Sequence, residues 1–139
     1  MGAKLISAVD ELKNLSAGRR IKTPSPDDNV ISEYEKEVGF SFSDEYRFFL
    51  KEASAIFFGV VEPLVLTRER NDRSELRSAV IAAREIGLPH DWLPICEDNG
   101  DYYCIIPDGK IRFWSPDGVA TESWADLAEW VSKVWISRG

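Results

Sequence analysis

The apolar positions along the chain switch period several times, and each switch marks an element. Leu5, Ile6, Val9, Leu12 and Leu15 recur at helical spacing, which predicts a helix over 3–16. Gly18, Pro24 and Pro26 then break the pattern among charged residues, as a surface connection does. A second helix is expected from Ser25-Pro26, with Ser as cap and Pro at the first helical position. Its stripe is Val30, Ile31, Tyr34 and Val38, and Gly39 stops it. Ser43 is expected to cap a third helix, with Asp44 and Glu45 in its first turn and Tyr46, Phe49, Leu50 and Ala53 as the buried stripe.

After Ser54 the runs at 56–61 and 64–66 read as short strands separated by Glu62-Pro63. Asp72 with Glu75 makes a capping-box signature before a helix over about 73–86, which Gly87 ends. The segment 92–115 predicts a three-stranded antiparallel meander, turned at Asn99-Gly100 and again at Asp108-Gly109. Pro116-Asp117-Gly118 is a further turn. Ser123 is expected to cap a last helix with Asp126 as capping partner; Trp124, Leu127, Ala128, Val131, Val134 and Trp135 form its stripe, and Trp130 lies off its centre. Strands joined by hairpins, with helices before and after, describe an α+β fold with one antiparallel sheet covered by helices.

The chain has 139 residues, suited to one domain with a real core. No apolar run is long enough to span a bilayer, and Lys4, Asp10, Glu11 and Lys13 interrupt the first residues, so neither a membrane span nor a secretory signal is expected. The expected compartment is the cytoplasm. With 17 basic and 24 acidic side chains the net charge is −7, which argues against nucleic-acid backbone binding and suits a soluble protein or one with a basic partner. The charge is uneven. Residues 1–66 carry 8 basic and 11 acidic groups, residues 67–86 carry 5 and 4, and residues 87–139 carry 4 and 9. The excess therefore gathers around the meander and the last helix, although solubilising charge alone accounts for such a pattern too.

Catalytic chemistry is poorly provided for. The single histidine, His90, sits beside Pro89 in an expected loop, and neither a Gly-x-Ser-x-Gly elbow nor a glycine-rich phosphate loop is present. Cys96 and Cys104 flank the first hairpin turn. A two-residue turn pairs Cys96 with Tyr103 and sets Cys104 opposite Ile95, so the two thiols point to opposite faces and no disulfide is expected. No soft-ligand zinc set can be assembled from one His and two Cys.

Carboxylates remain: Glu97, Asp98 and Asp101 crowd the first hairpin tip, with Asp108 and Asp117 in later turns. They are compatible with a paired-carboxylate hydrolase or a hard-metal site, but Asp in turns is also plain backbone chemistry. All five tryptophans lie at or beyond residue 92. One of Phe113 and Trp114 must face away from the helix-covered side; either that face is covered as well, or Trp114 is a partner contact beside the acidic turns.

These ordered features resemble a known family. Phe42-Ser43-Asp44-Glu45-Tyr46-Arg47-Phe48-Phe49-Leu50 is similar to the "acidic, Tyr, x-x-Phe-Leu" helix of the SUKH superfamily, named partly for fungal Smi/Knr cell-wall regulators. The stretch Leu93-Pro94-Ile95 through Gly100-Asp101-Tyr102 is similar to its "Leu-Pro-Ile … Gly-Asp-x-Tyr" hairpin. Ile111-Arg112-Phe113-Trp114 with Asp117-Gly118 is similar to its Trp-bearing strand, and Ser123-Trp124-Ala125-Asp126-Leu127 to the start of its closing helix. The match runs over about 26–135 within a single domain of 1–139, with 1–25 an N-terminal helix and loop. Where the family often has Asn-Gly-Gly, this chain reads Ala53-Ser54-Ala55.

The resemblance implies the SUKH α+β fold, no cofactor and no catalysis. It implies a cytoplasmic immunity protein that binds and neutralises a cognate toxin, often a nuclease, of a contact-dependent or polymorphic system. The alternatives are a regulatory scaffold for another cellular protein, as in the fungal relatives, and more remotely a carboxylate-dependent hydrolase. The expected partner-facing residues are Glu97, Asp98, Asp101, Trp114 and Asp117, and the expected fold-defining ones Tyr46, Phe49, Leu50, Tyr102 and Trp124.

Overall fold

The computed structural model describes residues 2–16, 25–67, 75–118 and 122–138. Three helices come first: α1 (Ala3–Leu15), α2 (Asp28–Val38) and α3 (Asp44–Glu52). Next comes α4 (Leu76–Glu85), and then the strands β1 (Leu93–Asp98), β2 (Asp101–Ile105), β3 (Ile111–Trp114) and β4 (Ser123–Trp124). The chain closes with a short helix α5 (Leu127–Trp130), a π-helical stretch Val131–Trp135 and a 3₁₀ turn Ile136–Arg138. The strands form one antiparallel meander in the order β1-β2-β3-β4. This is the α+β architecture the pattern predicts.

Local chemistry sets the helix ends. Ser43 caps α3 as expected, its Oγ accepting from Tyr46 N at 3.1 Å. Gly39 ends α2 at φ +78°, where a side chain would be strained. The start of α2 differs from the sequence reading. Asp27, not Ser25, is the cap, because its carboxylate reaches Val30 N at 2.9 Å and leaves Pro26 outside the helix. Likewise Glu75 itself caps α4 through Arg77 N, so that helix begins at Leu76; the proposed capping residue Asp72 lies outside the described residues.

The two short strands expected over 56–61 and 64–66 are absent. Gly59 turns the chain at φ +63° and leaves Val60 76% exposed, while Pro63 offers no N–H to a ladder. What remains are single bridges, Pro63 to Cys96 and Val65 to Glu75, with Leu64 N donating to Ile95 O at 2.8 Å. The preceding turn is held by buried Ser54, whose Oγ donates to Leu50 O at 2.8 Å, and by Trp135 Nε1 donating to Phe58 O at 3.1 Å.

The C-terminal element also starts later than expected. Ser123 and Trp124 pair with β3 as β4, and Asp126 caps α5 by accepting from Glu129 N at 2.9 Å. Glu129 in turn accepts from Ala125 N at 2.7 Å. The shifted start rotates the tryptophans. Trp130, read as off-stripe, is fully buried, whereas Trp124, read as core, is only half-buried. Trp130 meets Phe49, Tyr103 and Trp135 with ring centroids 5.6–6.2 Å apart, joining α3, the sheet and the C-terminus in one aromatic core.

An ion-pair network ties α2 to α3. Asp28 Oδ1 accepts from Lys51 Nζ at 3.1 Å and Arg47 at 3.2 Å, and Arg47 also binds Glu35. The hydrogen bonds from Lys51 and Arg47 hold the Asp28 carboxyl below its ordinary 3.8. A lowered folded-state value stabilises the fold above the unfolded value, and that contribution is lost as pH falls through the lowered one. Asp28→Asn is therefore expected to lower the urea midpoint at neutral pH and to match the wild type in strong acid. A gap that persists in strong acid would show that the Asp28 charge is not what binds α2 to α3.

An acidic end of the meander as candidate binding site

An up-and-down meander places its first and third turns at the same end. The β1–β2 turn and the chain leaving β3 therefore lie together, and Asp108, in the β2–β3 turn, lies at the other end. This topology gathers Glu97, Asp98, Asp101, Trp114 and Asp117 at one end of the sheet. Asn99 at φ +53° and Gly100 at φ +91° form the mirror-image two-residue turn that Asn-Gly favours.

The pairing divides these residues between two faces. Glu97 stands opposite Tyr102, and Tyr102 opposite Trp114, so the three form one cross-strand row. In that row Glu97 is exposed, Tyr102 buried and Trp114 half-buried, with the Tyr102 and Trp114 ring centroids 6.3 Å apart. Asp98 and Asp101 pair at the end of the hairpin on the face of Tyr103. Asp98 meets Arg138 at 3.8 Å. Asp117 sits in a tight turn closed by a Ser115–Gly118 bridge, its N–H donating to Ser115 Oγ at 3.3 Å. Glu97, Asp101 and Asp117 form no ion pair among the described residues. The end of the sheet thus carries uncompensated negative charge.

The cysteines contribute packing. Cys96 pairs with Tyr103 as expected, but Cys104 stands opposite Pro94, because a bulge inserts Ile95 between the two pairs. Both cysteines are buried and neither is in a disulfide. Burial pushes the Cys104 thiol well above its ordinary value, which makes it unreactive. Burial, followed by the charge of Glu97, raises the Tyr102 phenol above 10. His90 lies exposed at a turn with its carbonyl accepting from Arg84 at 3.1 Å. Among the described residues no group of three or more His, Cys, Asp or Glu is placed to hold a metal ion.

Two features beside the hairpin escaped the sequence reading. Val60 and Glu62 border it because 56–61 turns instead of running as a strand. Arg138 comes from the 3₁₀ turn after the last helix, and no local motif signals its return to Asp98.

A search of curated proteins found no match. Among solved structures, a crystal structure of a protein from Pseudomonas syringae pv. tomato superposes with a TM-score of 0.83 at 27% sequence identity, covering 95% of this chain and 98% of that one. The family model SUKH_5, described as SMI1-KNR4 cell-wall, matches residues 5–136, so the match takes in most of α1 as well as the sheet. The chain belongs to the SUKH superfamily, in the SMI1-KNR4 family.

Proposed function

We propose that this protein is a non-enzymatic immunity protein that binds and neutralises a cognate toxin through the acidic end of its meander. Membership of the SUKH family is consistent with that type of protein. The observation that carries the reading to a surface is the convergence of Glu97, Asp98, Asp101 and Asp117 at one end of the sheet, three of them without an ion pair among the described residues. Such a field attracts a basic protein surface and speeds encounter with it. A nuclease toxin presents that kind of surface, because its substrate is a polyanion.

Co-expression with the toxin domain encoded beside this gene tests the reading. The wild type is expected to restore growth, and the triple variant Glu97→Gln, Asp98→Asn, Asp101→Asn to lose most of that protection. Growth arrest unchanged by the wild-type protein would overturn the immunity reading. Full protection by the triple variant would overturn its placement on this surface.

A further inference from the structure

The two faces of the acidic end are not alike. On the Tyr103 face, Asp98 meets Arg138 at 3.8 Å, and the rings of Phe113, Trp124 and Trp130 surround Tyr103. On the other face stands the row Glu97–Tyr102–Trp114. Glu97 is exposed and forms no ion pair among the described residues. Trp114 is half-buried, and its one ring contact among the described residues is Tyr102 at 6.3 Å. Tyr102 lies buried between them, close enough to Glu97 for that charge to raise its phenol. Arg112 shares this face, two residues before Trp114, and its guanidinium lies 5.6 Å from the centroid of the Trp92 ring. Trp92 therefore finds its cation within the chain, while Trp114 and Glu97 have none among the described residues.

We infer that the Glu97–Tyr102–Trp114 row takes one arginine of a partner protein, its guanidinium stacked on Trp114 and hydrogen-bonded to Glu97. The inference rests on the reading of this end of the sheet as the binding surface, and it names the face and the contact. Charge complementarity carries it. An aromatic face and a carboxylate attract a cation by separate means, ring quadrupole and full charge, and strand pairing sets the two on either side of one buried ring. Neighbouring strands are about 4.8 Å apart, so the Cα atoms of Glu97 and Trp114 stand roughly 10 Å apart across Tyr102. That span favours arginine over lysine. A planar guanidinium stacks on a ring and donates from its edge at the same time, whereas an ammonium is a compact, strongly hydrated charge. Asp117, three residues after Trp114 and also without an ion pair among the described residues, adds to the field at that side of the row. Asp98, on the opposite face, contributes to encounter and not to this contact.

The test is a titration of the full chain with the peptide acetyl-Gly-Arg-Gly-amide, followed by NMR through the indole N–H of Trp114 and the backbone amide of Glu97. Saturating shifts are expected at both. Glu97→Gln, a surface change that leaves the core intact, is expected to weaken binding about threefold, as is Trp114→Leu, which removes the ring. Asp98→Asn is expected to leave the peptide affinity within about twofold of the wild type, since its charge lies on the other face. The lysine peptide is expected to bind more weakly than the arginine peptide, and the neutral citrulline peptide more weakly still. Shifts centred on Asp98 and Arg138, binding unchanged by Glu97→Gln, or lysine or citrulline peptides that bind as well as arginine would overturn the proposal. The peptide assay needs no toxin. Toxin binding that survives Glu97→Gln combined with Trp114→Leu removes the arginine contact and leaves the immunity reading, while peptide binding at the row without toxin binding does the reverse.

Discussion

Trp130→Ala is expected to cost about 3–5 kcal/mol, the range for removing a large buried aromatic ring. The ring is fully buried and touches Phe49, Tyr103 and Trp135, so its loss opens a cavity where three elements meet. The neighbours are themselves large rings fixed by other contacts, and they cannot collapse far into the space. Trp124→Ala is expected to cost much less, since that ring is half-buried on a two-residue edge strand and mainly meets Tyr103 at 5.4 Å. Urea unfolding of both variants reads the difference directly. A larger loss at Trp124 would contradict the position of α5, because it would restore a helix starting at Ser123.

The second large effect is expected at Glu75. Its side chain is fully buried, caps α4 through Arg77 N at 3.1 Å, and pairs with Arg77 Nε at 3.1 Å. Arg77 also donates to Thr67 O, so the pair fastens the start of α4 to the 64–67 segment. Glu75→Ala leaves a buried guanidinium without its counter-charge and is expected to cost about 3–5 kcal/mol. Glu75→Gln keeps an acceptor for Arg77 and is expected to lose less. The pH dependence separates charge from shape. Burial, the largest influence, raises the Glu75 carboxyl above 4.5 despite Arg77. A raised folded value means that the group favours the fold fully below the unfolded value, and that this advantage is lost as pH rises through the raised one. Acidification towards 4.5 should therefore stabilise the wild type relative to Glu75→Gln, widening the gap between their urea midpoints. A gap that narrows on acidification would show that the charged form is the favoured one.

Both effects bear on what can be read from sequence. The helices α1 and α3 and the Asn99-Gly100 hairpin follow from signals within a few residues, namely helical spacing, a Ser cap and a turn that demands positive φ. The misreadings arise where two local signals compete. Ser25 and Asp27 are both good caps, and the carboxylate that reaches Val30 N decides between them. Ser123 and Asp126 compete in the same way, and pairing of Ser123 with Arg112 across the sheet settles it. A one-turn error there is enough to exchange Trp124 and Trp130 between surface and core. The apolar run at 56–61 has the composition of a strand, but Gly59 and Pro63 deny it a continuous ladder.

The candidate site was half legible. The acidic turns are visible as residues, and the meander that brings the first and third turns together follows from two hairpin signals. The division of Glu97 and Asp98 between two faces depends on register, and the bulge at Ile95 that shifts Cys104 to Pro94 carries no signature of its own. Arg138 reaches Asp98 across 40 positions of sequence, a closure that only the packing of the C-terminal turn reveals.

The central claim is that the acidic end of the sheet binds a basic toxin. Titration calorimetry of this protein with the toxin domain encoded beside its gene, at low and high salt, tests it most directly. The account predicts a one-to-one complex with Kd on the order of nanomolar, about −12 kcal/mol. It also predicts that high salt, or the triple substitution of Glu97, Asp98 and Asp101, weakens that complex strongly. The absence of binding, or tight binding indifferent to both salt and the triple substitution, would contradict it.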